Sequence, residues 1–332
     1  MRKRIKKMSL FVCKYAALLS IFFPLLCSAE TPAPTTASQG STIMDIQQFP
    51  VQTFDLNSEE QITALFEVHK ARRNAVSSQA DLGIHGILSI SKPSDLPNIM
   101  KTYERLATKL SVFEIRFAND VQTRMFVPIS AQKRHLKIIL SGNADTQVDV
   151  TGISFALYAD NIHVHHLKWG DMGVKPALAV GASNKIELND LTFSNNTCAS
   201  NLHADPRLII SSFASDGQFT DAEIHNLAYI KNISSALFFI DNNSLEKIGT
   251  LTFDQLTLDS NQTKQLGIDV SASKATILKD IKLSDNQAEA PVFVQRTPLG
   301  EVILDSNIKD DTYKYIPLPK YKDMLPKPIQ KK

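Results

Sequence analysis

An eight-residue pattern that keeps its apolar residues in the same places occurs five times in this 332-residue chain. The copies are Ile162–Trp169, Ile186–Phe193, Ala222–Tyr229, Leu251–Leu258 and Thr276–Leu283. Their sixth residues are spaced by 24, 36, 29 and 25 positions: Leu167, Leu191, Leu227, Leu256 and Ile281. Repeats of roughly 20 to 50 residues that are built of short strands indicate a solenoid. The sequence therefore predicts an all-β chain in which coils of parallel strands stack on one another.

Alternation within each copy predicts which side chains face the core. Successive residues of a strand point to opposite sides, so positions one and three should point inward and positions two and four outward. We expect the chain to bend at positions four and five, so that positions six and eight, which include Trp169, point inward again. Four copies are followed by an asparagine, which we expect to adopt a left-handed turn and to hydrogen-bond its counterparts: Asn196, Asn232, Asn261 and Asn286.

The N-terminal residues have the pattern of an export signal. Residues 1–29 contain six Lys or Arg and no acidic residue, and the apolar run from Tyr15 to Leu26 is followed by Cys27-Ser28-Ala29. This predicts a secretory signal peptide that is cut after Ala29, leaving no transmembrane anchor and a periplasmic or secreted protein. Lipid attachment at Cys27 ranks second, because the preceding Leu26 is bulky.

Charge and cysteine content exclude some partners. Removal of the signal changes the net charge from +2 to −4, and residues 30–308 alone carry about −8. Such an acidic body is unsuited to nucleic acid, which needs clustered Lys and Arg. Cys198 is then the only cysteine, so no internal disulfide is expected.

The remaining segments differ in composition from the repeat. Residues 30–44 form a flexible leader, and residues 45–110 form a helical N-terminal segment and cap. One helix should begin with the capping box Ser58–Gln61, and another at Asp95. We expect the β-helix over residues 111–308 and a Pro/Lys-rich tail over residues 309–332.

The order of elements from Gly83 to Trp169 resembles the opening of the pectate lyase superfamily. The matching pieces are a strand, Ser94-Asp95-Leu96 at a helix start, Leu136–Gly142, and Ala159–Leu167. The resemblance covers roughly residues 83–308. It implies a right-handed parallel β-helix with a short α-helical N-terminal cap.

The catalytic motifs of that family are not matched. Where pectate lyases carry calcium-binding acids, this chain has Pro176-Ala177-Leu178 and Leu188-Asn189-Asp190, and the segment R-x-P-x-x-R has no counterpart. The acid pairs of β-helical polygalacturonases are also missing. The resemblance therefore implies the fold and does not imply pectate cleavage.

Stacking the five copies places polar side chains in outward columns. One column contains His163, Glu187 and Glu223, and its neighbour contains His165, Asn189, His225 and Asp254. A corner column begins with His166 and Asp190. Together with Arg207, from the longest insertion, the candidate ligand-binding residues are His163, His165, His166, Glu187, Asp190, Glu223, His225, Asp254 and Arg207.

Two interpretations of these columns stay open. Imidazoles beside carboxylates can bind a divalent metal or act as an acid–base pair, although no particular cofactor is indicated. A plain solvated sheet face accounts for the same residues.

Two functional hypotheses follow. The first is an exported β-helix protein that binds a polysaccharide or a surface or envelope protein, without pectate lyase chemistry. The alternative is a polysaccharide lyase, hydrolase or epimerase that acts along the β-helix face. The sequence identifies no catalytic residue for the alternative.

Overall fold

The computed structural model describes most of the chain from Phe49 onward. The described residues are 49–131, 135–143, 145–170, 172, 176–197, 208–234, 237–240, 247–263, 268–269, 274–288, 293–295, 301–304 and 314–315. The predicted signal peptide, the leader, Cys198, Arg207 and almost all of the tail lie outside them. The predictions for those segments are therefore not tested by the structure.

Two α-helices and twenty strands make up the regular structure of the described residues. The helices are α1 (Glu59–Arg72) and α2 (Pro97–Leu106), and short 3₁₀ turns cover Gln79–Leu82, Pro93–Asp95 and Ala107–Lys109. The strands are β1 (Gln52–Asp55), β2 (Ile84–Ile90), β3 (Val112–Phe117), β4 (Met125–Ser130), β5 (Lys137–Ser141), β6 (Val148–Asp149), β7 (Ile153–Gly170), β8 (Leu178–Ser194), β9 (Leu208–Ser212), β10 (Thr220–Ile230), β11 (Ile233–Ser234), β12 (Phe238–Ile240), β13 (Ile248–Asp259), β14 (Gln262–Thr263), β15 (Ile268–Asp269), β16 (Ala275–Ser284), β17 (Gln287–Ala288), β18 (Phe293–Gln295), β19 (Glu301–Leu304) and β20 (Lys314–Tyr315).

The strands form a parallel β-solenoid of about six turns, which confirms the predicted fold class. Long strands such as β7 and β8 bend at corners and contribute to three walls. The first wall contains β4, residues 153–158 and 178–182, β9, β12, β15, β18 and β20. The second wall contains β1, β2, β3, β5, residues 161–165, 185–189, 221–225, 250–254 and 275–279, and β19. The third wall contains β6 and residues 167–170, 191–194, 227–230, 256–259 and 281–284.

The interior is filled by the residues that the repeat predicted to face inward. In the first copy of the pattern, Ile162, Val164, Leu167 and Trp169 are at most 1% exposed. The residues at position eight stack from coil to coil, with the ring of Phe193 lying 5.1 Å from both Trp169 and Tyr229. Leu283 differs: it is 37% exposed, because residues 281–284 are the last described strand of the third wall.

Left-handed residues form the corners between the second and third walls. The fifth residue of every copy has a positive φ: His166, Asp190, Asn226, Gln255 and Asp280. A second left-handed residue follows the pattern in four copies: Asn195, Lys231, Ser260 and Asp285. We predicted that the asparagine after each copy adopts the left-handed conformation, and this is wrong by one residue. The left-handed residue directly precedes each asparagine, whose side chain then points into the interior.

The predicted asparagine ladder is present. Asn196, Asn232 and Asn261 are fully buried. The Nδ2 atoms of these three donate to Oδ1 of the asparagine in the following coil at 2.8–3.0 Å. Each Oδ1 from Asn232 to Asn286 also accepts the backbone N–H of the preceding asparagine. The ladder satisfies polar groups that would otherwise be costly to bury.

Both helices begin close to the predicted positions. Ser58 Oγ accepts from the backbone N–H of Gln61 at 3.3 Å and caps α1, which buries Ile62 and Leu65. Pro97 is the first residue of α2, which buries Ile99, Tyr103 and Leu106. Each helix thus lays one apolar face on the core.

Candidate functional site

The outer side of the second wall carries the predicted polar columns. The strand register places His163 beside Glu187 and His165 beside Asn189 in the next coil. The third coil continues the columns with Glu223 and His225. Neighbouring strands are ~4.8 Å apart, so polar side chains of successive coils can contact one another. We call the residues His163, His165, His166, Glu187, Asn189 and Asp190 the histidine face.

Three imidazoles are in contact at the centre of the histidine face. The ring centroids of His163 and His165 lie 4.5 Å apart, and those of His165 and His166 lie 4.9 Å apart. His165 Nδ1 is 2.7 Å from His166 Nδ1, which is a hydrogen-bond distance. All three rings are half-buried.

The neighbouring coil orients these imidazoles. Asn189 Nδ2 donates to His163 Nε2 at 2.9 Å. His166 Nε2 lies 3.2 Å from Asp190 Oδ2, and Asp190 Oδ1 accepts from Asn226 Nδ2 at 2.7 Å. The corner residues His166 and Asp190 meet because both have left-handed backbones at equivalent positions of successive coils.

A buried carboxylate that the sequence analysis missed lies at the N-terminal end of this face. Glu114 is 4% exposed although it points outward from β3. Its Oε1 accepts from Arg116 Nε at 2.8 Å and from Ser141 Oγ at 2.9 Å. Its Oε2 lies 2.9 Å from His85 Nε2, which has no well-aligned hydrogen bond to any described residue. Ser141 pairs in register with His165, so this cluster adjoins the histidines.

An alternating chain of charges runs along the other edge of the face. Lys137 Nζ lies 3.5 Å from Glu187 Oε2, and Lys185 Nζ lies 3.0 Å from Glu187 Oε1. Lys185 also contacts Glu223 at 2.9 Å. Both lysines, like Glu114, were missed by the sequence analysis.

Burial and neighbouring charges shift several pKa values on this face. Burial, with the nearby His163 and His166, lowers the pKa of His165 to about 4. Burial and Lys137 also lower the pKa of His163, against the opposing effect of Glu187 and Glu114. His163 and His165 are therefore neutral at pH 7.

The carboxylates of the same region are ionised. Burial alone would raise the pKa of Glu114, but the contacts from His85, Arg116 and Ser141 outweigh it and lower that pKa to about 2. In Glu187 the hydrogen bond from Lys185 and the charge of Lys137 likewise outweigh burial and lower the pKa. Neither group is a proton donor near pH 7.

The remaining candidates are separate from the histidine contacts. His225 Nδ1 lies 3.5 Å from Asp254 Oδ2, and both side chains are well exposed. Asn189 stands between His165 and His225 in the register, which separates the two histidines by about 9.6 Å. Arg207 lies outside the described residues.

The possibility of a metal site was left open by the residue types. Among the described residues, no group of three or more His, Cys, Asp or Glu is arranged to hold a metal ion. In the histidine face, the nitrogens of His165 and His166 are directed at each other, and those of His163 and His166 contact Asn189 and Asp190. The described geometry is that of a hydrogen-bonded surface.

A sequence signal for the missed residues does exist. Glu114 and Arg116 alternate with Phe113, Ile115 and Phe117, which identifies β3 as a strand with two charged residues on one side. The eight-residue pattern begins only at Ile162, however, so it provides no register that aligns β3 with later coils.

No family model matches the chain, and no curated protein or solved structure matches it. Within the described residues, no helix has the length and apolarity needed to cross a membrane.

Proposed function

We propose that this chain is an exported β-solenoid that binds polysaccharide on the histidine face without cleaving it. The observation that carries the proposal is the cluster of half-buried imidazoles, two of them neutral at pH 7, on a rigid wall. A neutral imidazole offers one donor and one acceptor, which suits sugar hydroxyl groups.

The rigidity of the wall supports binding. The strands that carry the face are paired on both sides, and their outward side chains are linked across β7, β8 and β10 by hydrogen bonds and ion pairs. Side chains already held in place lose little conformational freedom when a ligand binds. The regular spacing of the coils also repeats polar groups along the solenoid axis, as an extended chain ligand requires.

The ionisation of the carboxylates favours binding over cleavage. Glycoside hydrolysis uses a carboxylic acid whose pKa is raised, so that it can protonate the leaving oxygen. Glu114 and Glu187 have lowered pKa values instead, because cationic side chains surround them. His165, with a pKa of about 4, is a weak base for the proton abstraction that a lyase or epimerase performs.

Export and the superfamily are parts of the same proposal. The basic and apolar pattern of residues 1–29 supports secretion or periplasmic location. The resemblance over residues 83–308, with the observed parallel solenoid, supports a pectate lyase-like β-helix. An envelope or surface protein is the alternative partner.

A glycan array and a product assay test this function. We expect the exported form of the chain to bind members of an array of immobilised neutral and acidic polysaccharides at pH 7.5. No unsaturated uronate should appear, with or without calcium or zinc. Turnover would establish the enzyme alternative, and an array without any signal would contradict polysaccharide binding.

Substitutions then locate the binding face. We expect His163→Ala and His165→Ala each to weaken array binding roughly 2- to 10-fold, because each removes hydrogen-bonding groups from the proposed ligand contact. Thr192→Ala is the matched control, since Thr192 points outward on the third wall. Unchanged affinity in both histidine variants would exclude this face.

A further inference from the structure

The three imidazoles of the histidine face are held by contacts that depend on their protonation. His163 Nε2 accepts a hydrogen bond from Asn189 Nδ2, so that nitrogen carries no proton. A proton added there would oppose the amide hydrogens and would force the Asn189 side chain to turn. The contact therefore requires a neutral His163.

The contact between His165 and His166 has a similar requirement. Their Nδ1 atoms are 2.7 Å apart, so one must donate and the other accept. The pair keeps this bond with a single positive charge but loses it when both rings are protonated, because two N–H groups would then face each other. If all three rings were protonated, their positive charges would also repel one another, because the ring centroids are only 4.5 and 4.9 Å apart.

The charges around the cluster do not offset this repulsion. The cluster faces Glu114 and Arg116 of β3, Lys137 of β5, and Glu187 and Asp190 of β8. Glu114 is already held by Arg116 and His85, and Glu187 by Lys137 and Lys185. Asp190 is the carboxylate in direct contact with a histidine of the cluster, and it can balance one charge.

We propose that the His163–His165–His166 cluster makes this face release its ligand on acidification. The inference rests on the proposed function, because it assigns a control to the same surface. Acid converts imidazole acceptors into donors and breaks the contacts of Asn189 and of the His165–His166 pair. Because Asp190 also holds Asn226, the rearrangement extends from β7 through β8 to β10.

Thermal unfolding tests the cluster without any ligand. The pKa of His165 is about 4 in the folded protein and is near 6.5 when the side chain is exposed, so the unfolded chain binds more protons between these values. Stability contributed by the neutral ring is present above pH 6.5 and decreases as the pH falls toward 4. We expect the double variant His163→Gln/His165→Asn to lose about 3 °C less in Tm than the original chain between pH 7.5 and pH 4.5. His225→Gln, an exposed histidine of the same wall, should not change the decrease.

Ligand release is measured on the glycan array described above. For the original chain and for His225→Gln, we expect binding at pH 3 to be about tenfold weaker than at pH 7.5, because a ring with a pKa of about 4 is then roughly nine-tenths protonated. In the double variant this ratio should fall to below about threefold, whatever its affinity at pH 7.5.

The two measurements separate the outcomes. An array without signal at pH 7.5 contradicts the proposed function, while the unfolding comparison still tests the acid-sensitive cluster. Array binding that is unchanged or stronger at pH 3 overturns the release. Identical Tm decreases in the original chain and the double variant overturn the role of the cluster.

Discussion

Glu114 illustrates how a single side chain can organise an outward surface. It lies on the solvent side of β3, yet Arg116, Ser141 and His85 surround its carboxylate and leave it 4% exposed. Hydrogen bonds to a charged group contribute about 1.5 to 3 kcal/mol each in favourable geometries. Such a group fixes the neighbouring side chains, among them the serine that pairs in register with His165.

A charge-removing substitution at this residue should change the acid stability of the protein. The folded pKa of Glu114 is about 2 against an ordinary 4.5, so its stabilising effect is present above pH 4.5 and disappears as the pH falls toward 2. We expect Glu114→Gln to reduce the free energy of unfolding by about 2 kcal/mol at pH 7 and by much less at pH 2.5. Urea denaturation at both pH values measures the difference.

The exposed carboxylate Glu60 provides the control for that substitution. Glu60→Gln should have an effect of less than about 0.5 kcal/mol at both pH values. An equal effect of Glu114→Gln at pH 7 and pH 2.5 would contradict the ionised, hydrogen-bonded state of Glu114.

The residues of the site differ in how far the sequence predicts them. His163, His165, Glu187 and Glu223 follow from the alternation of the repeat, because a two-residue period assigns each to the outer side. The partners of Glu114 could not be predicted, since their proximity depends on which residue of β3 pairs with β5. That register is determined by the lengths of the connecting loops, for which the sequence offers no repeat to count.

At the level of the element, corners shape each coil. The fifth residue of every copy has a left-handed backbone, although none of the five is glycine: His166, Asp190, Asn226, Gln255 and Asp280. Asn and Asp tolerate this conformation because their short side chains hydrogen-bond locally. Gln255 has no such advantage, and its φ is 61°. The sequence predicted a bend here but not its handedness, because the residue types at the position vary.

Substitution of Gln255 should report the strain of that corner. We expect Gln255→Val to lower the free energy of unfolding by about 1 to 2 kcal/mol, because a β-branched residue is disfavoured at positive φ. Gln255→Gly should leave stability within about 0.5 kcal/mol, since relief of the strain offsets the greater chain entropy of glycine. Thr252→Val, at an outward and extended position of the same strand, is the control. A Gln255→Val protein as stable as the original would contradict a strained corner.

At the level of the whole molecule, coils interact mainly with their immediate neighbours. The aromatic stack of Trp169, Phe193 and Tyr229 and the asparagine ladder both link consecutive coils. The stability of such repeats is approximately a sum of coil and interface contributions. A defect in one coil should therefore have its largest effect on the adjacent coils.

Removal of a ladder amide should test that locality. Asn232→Ala removes the oxygen that accepts from Nδ2 and from the backbone N–H of Asn196, and it removes the amide that donates to Phe193 O. We expect a loss of about 3 to 5 kcal/mol in the free energy of unfolding. Amide hydrogen exchange should become faster in β8, β10 and β13 but remain unchanged in β2 and β3. Asn195→Gly, at an exposed and left-handed neighbour of the ladder, is the control. Uniformly faster exchange, including β2 and β3, would contradict the locality.

The ladder also has a direction. Each Oδ1 accepts from the side of the preceding coil, and the Nδ2 atoms of Asn196, Asn232 and Asn261 donate to the following one. At the first position, Asn196 Oδ1 accepts the backbone N–H of Met172 at 2.9 Å. A backbone N–H can only donate, so the N–H of Met172 determines the orientation of Asn196. The backbone N–H groups of Asn196, Asn232 and Asn261 hold the next asparagine of the ladder in the same orientation. No amide can reverse alone without placing oxygen against oxygen and N–H against N–H. The four side-chain dipoles therefore add along the solenoid axis, with one polarity that a row of backbone N–H groups sets.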